Sequence, residues 1–280
     1  MLHLPVVDFQ SPGAPAEFCR SLHETGFGVL KNHPLDQAQV EGIYAEWLAF
    51  FKTCAKDKYA QDPEKFDGYF STQVSETAKN HQQKDVKEFF HIYPWGRYPT
   101  EVSDAARRYY AQGSALAATL LGWVEEHSPA DVRAAYSMPL PDMLQGSDHT
   151  LLRVLHYPPL TGYEAPGAMR AAAHGDINLL TLLPAASEPG LQVLGKDGGW
   201  HDVPCDFGLL IVNIGDMLEE ASGGYYPSTV HRVLNPVGAA AQKSRVSLPL
   251  FLHPRREVVL SKRHTVGSYF DERMRELRGM

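Results

Sequence analysis

The two halves of this 280-residue chain differ in how apolar and polar residues alternate along them. In the first half, apolar residues recur every three or four positions over several long segments, which is typical of amphipathic helices. The clearest of these segments begins after Asp36, whose carboxylate can cap the first turn of a helix. The apolar face of this helix is predicted to consist of Val40, Ile43, Tyr44, Trp47 and Phe51.

Further helices are predicted elsewhere by the same spacing and by capping signals. They are expected over about 15–25, over about 103–127, directly after the pair 128–129, and over about 268–278. Short β-prone segments lie between the N-terminal helices, namely LPVVD, GFGVLK and VKEFFHIY. The first half is therefore expected to be mixed, with most of its residues in helices.

After about residue 148 the chain changes to short β-prone segments separated by Gly, Pro, Asn and Asp. Seven such segments follow one another without a predicted helix between them: LLRVLHY, INLLTLL, LQVL, WHDV, LLIVNIG, STVHRVL and SRVSLPLFL. This order predicts an antiparallel jelly roll or barrel rather than a doubly wound parallel sheet. We expect a mixed α+β fold, mainly β, with the N-terminal helices packed on one face of the β core.

No repeat or low-complexity linker divides the chain, so we expect a single domain over 1–280. A domain of this length can bury a sizeable core. Within it, 1–147 is predicted as a mostly helical N-terminal region, 148–255 as the jelly-roll core, and 256–280 as a C-terminal strand and helix.

Composition narrows the classes of partner. The chain has 33 acidic and 26 basic residues and a net charge of −7, which argues against binding to a nucleic-acid backbone. No stretch approaches the roughly 20 apolar residues of a membrane-spanning helix, so no membrane partner is expected. Asp8 precedes any long apolar run and no basic leader is present, which predicts a cytoplasmic protein without a signal peptide. We expect it to be a monomer.

The cysteines indicate a reducing environment. Cys19, Cys54 and Cys205 are far apart, odd in number and without Cys-x-x-Cys spacing. Sparse cysteines of this kind are tolerated where disulfides do not form. We therefore expect three free, buried thiols.

Candidate chemistry begins with His174 and Asp176, which lie two positions apart in the stretch AHGDINLL. With 13 His and 33 acidic residues in 280 positions, about 1.5 such pairs are expected by chance, so the pair alone means little. On a strand, however, residues two apart point to the same face. His231, in the β-branched segment STVHRV, could supply a third ligand from another strand.

Two histidines and one carboxylate on one face of a metal leave the opposite positions open. This arrangement suits Fe(II) that must bind a co-substrate and dioxygen. A structural zinc site would instead close its coordination with four ligands, often including cysteine, and no cysteine is near either motif. The ligand types therefore favour an open iron site over a closed zinc site.

Arg245 and Ser247, in SRVSLPLF, are again two positions apart and share a strand face. A guanidinium that points into a barrel must find an anion, because an unpaired buried charge costs several kcal/mol. A bidentate arginine with a hydroxyl donor beside it is a suitable clamp for a carboxylate.

These residues lie in ordered segments that resemble one family. The segments AAHGDINLLTLL, GLQVLGKDGGWHDV, LLIVNIGDMLEEASGGYYPSTVHRVLNP and SRVSLPLFLHP are similar to the isopenicillin N synthase-like group of Fe(II)- and 2-oxoglutarate-dependent dioxygenases. The N-terminal LPVVDF and GFGVLKNHPL resemble the same group, so the similarity covers about 2–255. The resemblance implies a double-stranded β-helix (jelly-roll) core, with 148–255 as its catalytic part.

The resemblance also implies roles for single residues. His174, Asp176 and His231 would bind Fe(II). The distal carboxylate of 2-oxoglutarate would be held by Arg245 and Ser247, and Tyr157 matches a tyrosine that can contact the keto acid.

The implied reaction consumes dioxygen. An enzyme of this kind would hydroxylate, desaturate or cyclise a small-molecule metabolite while 2-oxoglutarate is decarboxylated to succinate. Related iron halogenases replace the metal-binding carboxylate with a small residue, so the presence of Asp176 argues against halogenation. Two alternatives remain open: an Fe(II) oxidase of the isopenicillin N synthase type that does not use 2-oxoglutarate, and a non-catalytic metal- or ligand-binding barrel.

Some residues depart from the group, and others have a role inferred only from their position. Leu155 stands where many relatives carry asparagine, and NPVGAAAQK lengthens the connection between His231 and Arg245. Arg153 shares a strand face with Leu155 and Tyr157, so it is expected in the cavity, where it could bind an anionic group of the substrate or pair with an acid. By analogy with relatives, 85–98 is expected to border the cavity.

Other polar residues are predicted to be structural. Asn213 and Asp216 follow a turn pattern after a strand, and Arg232 is expected to point away from iron because it adjoins His231 on a strand. Four further histidines are expected to be exposed or hydrogen-bonded within the fold: His33, His91, His156 and His201.

Overall fold

A computed structural model describes residues 4–74, 85–165, 168–185 and 189–278. Its helices are α1 (Ala14–Thr25), α2 (Gln37–Phe51), α3 (Ala105–His127), α4 (Ala130–Ala135), α5 (Asp216–Ala221) and α6 (Val266–Arg278). The strands of the N-terminal half are β1 (Val6–Asp8), β2 (Phe27–Lys31), β3 (Gly68–Phe70) and β4 (Glu88–Ile92). The strands of the C-terminal half are β5 (Leu151–Tyr157), β6 (Ala171–His174), β7 (Leu180–Pro184), β8 (Leu191–Leu194), β9 (Trp200–Asp202), β10 (Leu210–Ile214), β11 (His231–Val233), β12 (Arg245–Ser247) and β13 (Leu250–Leu252).

The strands form two sheets. The large sheet has the order β1-β2-β10-β7-β13-β5-β4-β3, with β12 also paired to β5, and the small sheet has the order β6-β11-β8-β9. Neighbouring strands in both sheets are antiparallel, except that β1 runs parallel to β2. The mixed α+β class and the jelly-roll core predicted from the sequence are confirmed.

The helices cover the outer face of the large sheet. Leu182, Val212 and Leu250 on that face belong to the same buried apolar cluster as Trp47 of α2 and Leu120 of α3. The inner face of the large sheet and the small sheet share a second cluster, which includes Val29, Val193, Ile211 and Val233. The space between the two sheets is therefore where inward-pointing polar residues can meet.

Local signals position α1 and α2. The Asp36 carboxylate accepts a hydrogen bond of 2.8 Å from the backbone N–H of Ala38, as predicted for a helix cap. Helix α1 ends at Gly26, which has a φ of 74° in the left-handed region. A Cβ at Gly26 would clash with Oγ1 of Thr229, so only glycine fits this turn.

Several predicted strands are shorter in the structure. The segment SRVSLPLFL forms β12 and β13 rather than one strand, because Pro249 between them has no backbone N–H to donate. A C-terminal strand is predicted within 256–280, but the described part of this region has only an isolated bridge between Val259 and Thr265. The division of the chain into one domain with three regions stays a prediction.

The cysteines differ in exposure. All three are free, but only Cys19 is buried, whereas Cys54 is exposed and Cys205 is intermediate. The prediction of three buried thiols is thus wrong for Cys54, which lies in a short 3-10 turn after α2 that has no buried residue. Burial raises the pKa of the Cys19 thiol to about 12.

Within the described ranges, no helix combines the length and apolar content needed to cross a bilayer.

Candidate active site

The three predicted metal ligands lie together between the sheets. His174 ends β6 and is paired in register with His231, which begins β11, while Asp176 lies in the turn after β6. One ligand atom from each residue lies within 4.8 Å of the other two. Oδ1 of Asp176 is 4.0 Å from Nε2 of His174 and 3.8 Å from Nε2 of His231. The three ligand atoms are therefore close enough together to form a three-ligand facial metal site.

Backbone carbonyls orient both histidine rings. Nδ1 of His174 lies 2.7 Å from the carbonyl oxygen of Ala172, and Nδ1 of His231 lies 3.2 Å from that of Thr229. Because a carbonyl oxygen can only accept, each Nδ1 carries the hydrogen. Each Nε2 therefore presents a lone pair toward Asp176, as metal binding requires.

The Asp176 carboxylate is fixed through its other oxygen. Oδ2 accepts hydrogen bonds from Oγ1 of Thr181, at 2.5 Å, and from Nδ2 of Asn213, at 2.8 Å. Thr181 and Asn213 are opposite each other in the register of β7 and β10. Nδ2 of Asn178 donates to the Thr181 hydroxyl at 3.0 Å, which orients that hydroxyl toward the carboxylate. Oδ1 is thus the oxygen directed at the histidines.

The prediction that Asn213 belongs to a turn is wrong. Asn213 lies inside β10 and is 3% exposed, because the strand continues to Ile214 before the turn at Gly215. The signal in the sequence was an amide within the apolar run LLIVNIG, since a buried amide needs a partner. Asp216 does begin α5 and is structural, its N–H bonding the carbonyl of Asp176 at 2.7 Å.

The charges in this cluster suit a divalent cation. Burial of the ring, and then the neighbouring His231, lower the pKa of His174 to about 4. Burial alone would raise the pKa of the Asp176 carboxyl, but both histidines and the bonds from Thr181 and Asn213 outweigh it and lower that pKa. At neutral pH the imidazole of His174 is neutral and the carboxylate is ionised, the forms that bind metal.

Arg245 and Ser247 lie on the large sheet, on a strand paired with β5. Both are buried on β12, where Arg245 pairs with Tyr157 and Ser247 with Leu155. Nη1 of Arg245 donates to the carbonyl of Pro189 at 3.3 Å, while its Nε is buried without a hydrogen-bond partner among the described residues. A buried guanidinium with an unused donor fits a carboxylate ligand.

A second arginine near this clamp was not singled out in the sequence. Arg170 is 2% exposed, and its guanidinium carbon lies 5.6 Å from the centre of the Tyr157 ring. The guanidinium carbon of Arg245 lies 5.9 Å from the same ring. The guanidinium groups of Arg170 and Arg245 therefore both lie near the Tyr157 ring. No pattern around Arg170 predicts this, because the residue precedes β6 in a short irregular segment.

Part of the predicted cavity border, 85–98, lies beside the metal ligands. Asp85 accepts a hydrogen bond of 3.1 Å from the N–H of Ala172 in β6 and forms a buried ion pair of 2.8 Å with Lys87. The charge of Lys87 also contributes to the lowered pKa of His174. The segment just before β4 is therefore tied to the strand that carries a metal ligand.

The residues predicted to be structural are hydrogen-bonded within the fold. Among them, His33 bonds the carbonyl of Gly208, His91 that of Phe66, His156 the carboxylate of Glu88, and His201 that of Asp197. Arg232 lies over the Trp200 ring at 4.0 Å and bonds Gln192. It therefore points away from the metal ligands, as predicted.

Two family profiles match the chain. The profile of the 2OG-Fe(II) oxygenase superfamily matches residues 148–254, which include the five residues of the metal site and the arginine-serine pair. The profile described as non-haem dioxygenase in morphine synthesis N-terminal matches residues 4–112.

Individual proteins similar to this chain are consistent with the two family profiles. A chain from Shewanella oneidensis, solved as a candidate oxygenase, is 53% identical, with 100% of each chain covered and a TM-score of 0.91. The 2-oxoglutarate-dependent dioxygenase 11 of Oryza sativa subsp. japonica is 28% identical over 92% of this chain and 73% of its own. A full-length protein of Neurospora crassa, solved in complex with alpha-KG, is 22% identical over 97% of this chain and 95% of its own, and its TM-score of 0.80 shows a shared fold.

Fold and site together define a non-haem iron oxygenase built on a jelly roll. The chain belongs to the family of Fe(II)- and 2-oxoglutarate-dependent oxygenases, and the resemblance to the isopenicillin N synthase-like group is confirmed. It is an oxidoreductase whose cofactors are Fe(II) and 2-oxoglutarate, with dioxygen as co-substrate.

Proposed function

We propose that this oxygenase hydroxylates, desaturates or cyclises a small-molecule metabolite while 2-oxoglutarate is decarboxylated to succinate. The observation that carries the proposal is an open three-ligand cluster between the sheets, together with Arg245 buried on the large sheet, whose Nε has no hydrogen-bond partner among the described residues. A metal site alone would suit several classes of protein. The additional anion-binding arginine favours a metal that acts together with a dicarboxylate co-substrate.

Three side chains would hold the iron in this proposal. They are His174 and His231 through Nε2 and Asp176 through Oδ1, because hydrogen bonds occupy Nδ1 of each ring and Oδ2 of the carboxylate. Three ligands leave coordination positions for 2-oxoglutarate and dioxygen.

The co-substrate would lie along β5 and β12. Arg245 would bind the distal carboxylate of 2-oxoglutarate with its guanidinium, and Ser247 would donate its hydroxyl. Tyr157 is buried opposite Arg245 in the strand register, so its ring would form one wall of this pocket.

Bound iron and 2-oxoglutarate supply the activation of dioxygen. The chain contributes position and a dry environment. Leu155 and Tyr157 pack in a buried cluster with Phe70 and Phe89, which excludes water from the cavity wall next to the arginine-serine pair. Exclusion of water strengthens the interaction of Arg245 with a carboxylate.

The proposal is tested by adding Fe(II) and 2-oxoglutarate without oxygen. We expect a weak visible charge-transfer band in the wild type and no band in His174→Ala. After oxygen is admitted with a substrate, succinate should form in proportion to the oxidised product. Product formed in the absence of 2-oxoglutarate would instead indicate the isopenicillin N synthase type of oxidase.

Arg245→Gln separates co-substrate binding from iron binding. We expect the dissociation constant for 2-oxoglutarate to rise by about 100-fold, because a charge-assisted fork is lost. Fe(II) affinity should change little. Arg232→Gln is the matched control, since Arg232 also lies over an aromatic ring but on the small sheet, directed away from the site. Equal effects of both variants would contradict the assigned role of Arg245.

A further inference from the structure

The strand that ends at the metal-binding His174 contains a β-bulge. His174, the last residue of β6, is paired with His231 of β11. The next pair in the register is Ala171 with Val233, so residues 172–173 of β6 lie opposite a single residue of β11. A bulge interrupts the ladder of hydrogen bonds, and bulges are common beside active sites, where they redirect a side chain. The buried backbone just before His174 therefore needs a hydrogen-bond partner outside the ladder.

Asp85, on the segment just before β4, supplies such a partner. Its Oδ1 accepts a hydrogen bond of 3.1 Å from the N–H of Ala172 in the bulge. Both residues are buried, Asp85 with 6% and Ala172 with 3% of its surface exposed. A backbone hydrogen bond of 2.9 Å from Val86 to the carbonyl of Met169 holds the same segment beside the start of β6. Because a carboxylate is the acceptor, the bond to Ala172 is stronger than a bond between neutral groups.

The backbone of Ala172 also connects Asp85 to the ring of His174. The Ala172 carbonyl accepts the hydrogen bond of 2.7 Å from Nδ1 of His174. The N–H that Asp85 binds and this carbonyl lie on the two sides of one Cα, so only the two backbone dihedral angles of Ala172 separate them. Removal of the Asp85 acceptor would free the bulge to rotate, and the carbonyl that orients the ring would rotate with it.

Lys87 fixes the second oxygen of the Asp85 carboxylate. Nζ of Lys87 donates to Oδ2 at 2.8 Å, and both side chains are 6% exposed. Nζ also lies 5.9 Å from the centre of the Phe89 ring, and the guanidinium carbon of Arg153 lies 4.5 Å from the same ring. A buried ion pair contributes little net stability compared with an apolar pair of similar volume. The orientation that this pair gives to the carboxylate is therefore a better explanation for its presence than stability.

We infer that Asp85 is a positioning residue for the iron site and fixes the ring of His174 through the backbone of Ala172. It acts on the strand that carries the ligand rather than as a ligand itself. A histidine ring whose orientation and tautomer are fixed in advance binds metal more tightly. This inference rests on the proposed function, because it takes His174 as an iron ligand.

Three variants separate the hydrogen bond of Asp85 from its charge. Asp85→Ala removes the acceptor for the Ala172 N–H, and we expect the dissociation constant for Fe(II) to rise about 10-fold. Asp85→Asn combined with Lys87→Gln keeps an oxygen for this N–H in a neutral pair, and Lys87→Gln alone keeps the carboxylate. Both should remain within about 3-fold of the wild type. Anaerobic titration of the apoprotein with Fe(II) measures all four dissociation constants.

The apoprotein provides a second readout that does not depend on iron. The nitrogen chemical shifts of a histidine ring, measured by NMR at neutral pH, report which nitrogen carries the hydrogen. We expect His174 to carry it on Nδ1 in the wild type, because the Ala172 carbonyl accepts there. Asp85→Ala should give a mixture of the two tautomers. His231, whose ring is oriented by the carbonyl of Thr229, should keep its tautomer in every variant.

Asp67→Ala is the matched control for the loss of a buried acid. Asp67 is 1% exposed, lies just before β3, and accepts hydrogen bonds of 2.9 Å from the backbone N–H of Arg97 and from its guanidinium. This variant should lower the free energy of unfolding, as Asp85→Ala does, because each loses a buried ion pair. It should change neither the Fe(II) affinity nor the tautomer of His174.

Two results would overturn the inference. One is wild-type Fe(II) affinity and an unchanged His174 tautomer in Asp85→Ala, and the other is an equal change of both in Asp67→Ala. If Asp85→Ala does not fold, Asp85→Leu combined with Lys87→Met replaces the ion pair by apolar contacts, which folds often tolerate, and must show the same losses. A wild type that binds no Fe(II) contradicts the proposed function, whereas normal Fe(II) binding in every variant contradicts only this inference.

Discussion

The two oxygens of the Asp176 carboxylate have different tasks. Oδ2 is bound by Thr181 and Asn213, and Oδ1 is directed at the two histidines. Hydrogen bonds of this kind around a metal ligand restrict its rotation and set its basicity. The orientation of the carboxylate therefore depends on two residues that do not themselves belong to the ligand cluster.

Thr181→Val tests this dependence, because it removes the hydroxyl and keeps the shape of the side chain. We expect Fe(II) affinity to fall by about 10- to 100-fold, with a loss of about 1–2 kcal/mol in the free energy of unfolding. Anaerobic Fe(II) titration and urea unfolding measure the two effects. Thr119→Val on the exposed side of α3 is the matched control. Unchanged affinity in Thr181→Val would show that Asn213 alone suffices.

Single residues differ in how far the sequence predicts them. The spacing within the AHGDINLL and SRVSLPLF segments indicates a shared face for each residue pair, because strand geometry is local. The contacts of Thr181 and Asn213 depend instead on the register between β7 and β10, which are separated in the chain by β8 and β9 and whose pairing no local pattern specifies. Tertiary register, rather than residue type, therefore limits the prediction.

At the scale of elements, a buried polar network joins α2 to the large sheet. The Glu88 carboxylate on β4 accepts hydrogen bonds from Tyr69 and from Lys56, the latter at 2.8 Å, and lies 2.7 Å from Nδ1 of His156. Nζ of Lys56 also donates to the carbonyl of Phe51 at the end of α2. This network fixes the end of the helix over β4 and β5.

The network predicts a dependence of stability on pH. Burial alone would raise the pKa of Glu88, but its bonds with His156, Lys56 and Tyr69 outweigh it and lower that pKa below 4.5. The folded state therefore binds this proton less readily than the unfolded state. The stabilisation is complete above pH 4.5 and is lost as the pH falls through the folded pKa.

Glu88→Gln should reduce this pH dependence and lower the free energy of unfolding at pH 7 by about 1–3 kcal/mol. Urea unfolding at pH 7 and pH 4 measures both effects. Glu41→Gln, on an exposed position of α2, is the control and should change neither. A pH profile of Glu88→Gln parallel to that of the wild type would assign the acid sensitivity to other groups.

The turn between α1 and β2 connects the helical layer to a metal ligand. A Cβ at Gly26 would clash with Oγ1 of Thr229 and would lie 2.6 Å from the carbonyl oxygen of Pro227. The Thr229 carbonyl also accepts the hydrogen bond that orients His231. Substitution here would thus strain both the turn and the segment before β11.

Gly26→Ala should destabilise the protein by at least about 2 kcal/mol, because a positive φ and a steric clash act together. Gly42→Ala is the control: apart from the backbone of α2 itself, no atom of the described residues lies within 4 Å of the new Cβ, and we expect a gain of about 0.5–1 kcal/mol. Thermal unfolding of both variants gives the comparison. A neutral Gly26→Ala would show that the turn can rearrange.

Most helices and strands could be predicted from the sequence, but the pairing between strands could not. The periodicity of α2 and its cap at Asp36 specify a helix from local residues alone. The single segment SRVSLPLFL, in contrast, divides at Pro249 so that β12 pairs only with β5, whereas β13 lies between β5 and β7. Which strand each half joins is a property of the sheet, and the sequence pattern contains no information about it.

At the scale of the whole molecule, one apolar cluster unites the N-terminal helices with the jelly roll. It extends from Val7 through Trp47 and Leu120 to Leu250 and Val266. Elements that share a continuous core generally unfold together. The cluster supports the prediction of a single domain over the chain.

We therefore expect one cooperative unfolding transition. Fluorescence of Trp47, in the helical layer, and of Trp200, in the small sheet, should report the same midpoint as circular dichroism. Fe(II) with 2-oxoglutarate should raise that midpoint, since ligands that bind only the folded state stabilise it. Single-tryptophan variants with different midpoints would indicate that the regions unfold separately.

The bonds that orient the two histidines have an evolutionary consequence. Each ring is fixed by a carbonyl two residues before it on its own chain segment, at Ala172 and at Thr229. The opposite wall of the cavity, with Arg153 and Phe251, comes from other strands. Mutations can therefore remodel that wall to accept a new metabolite without disturbing the orientation of the metal-binding rings, so that one reaction can be inherited while its target changes.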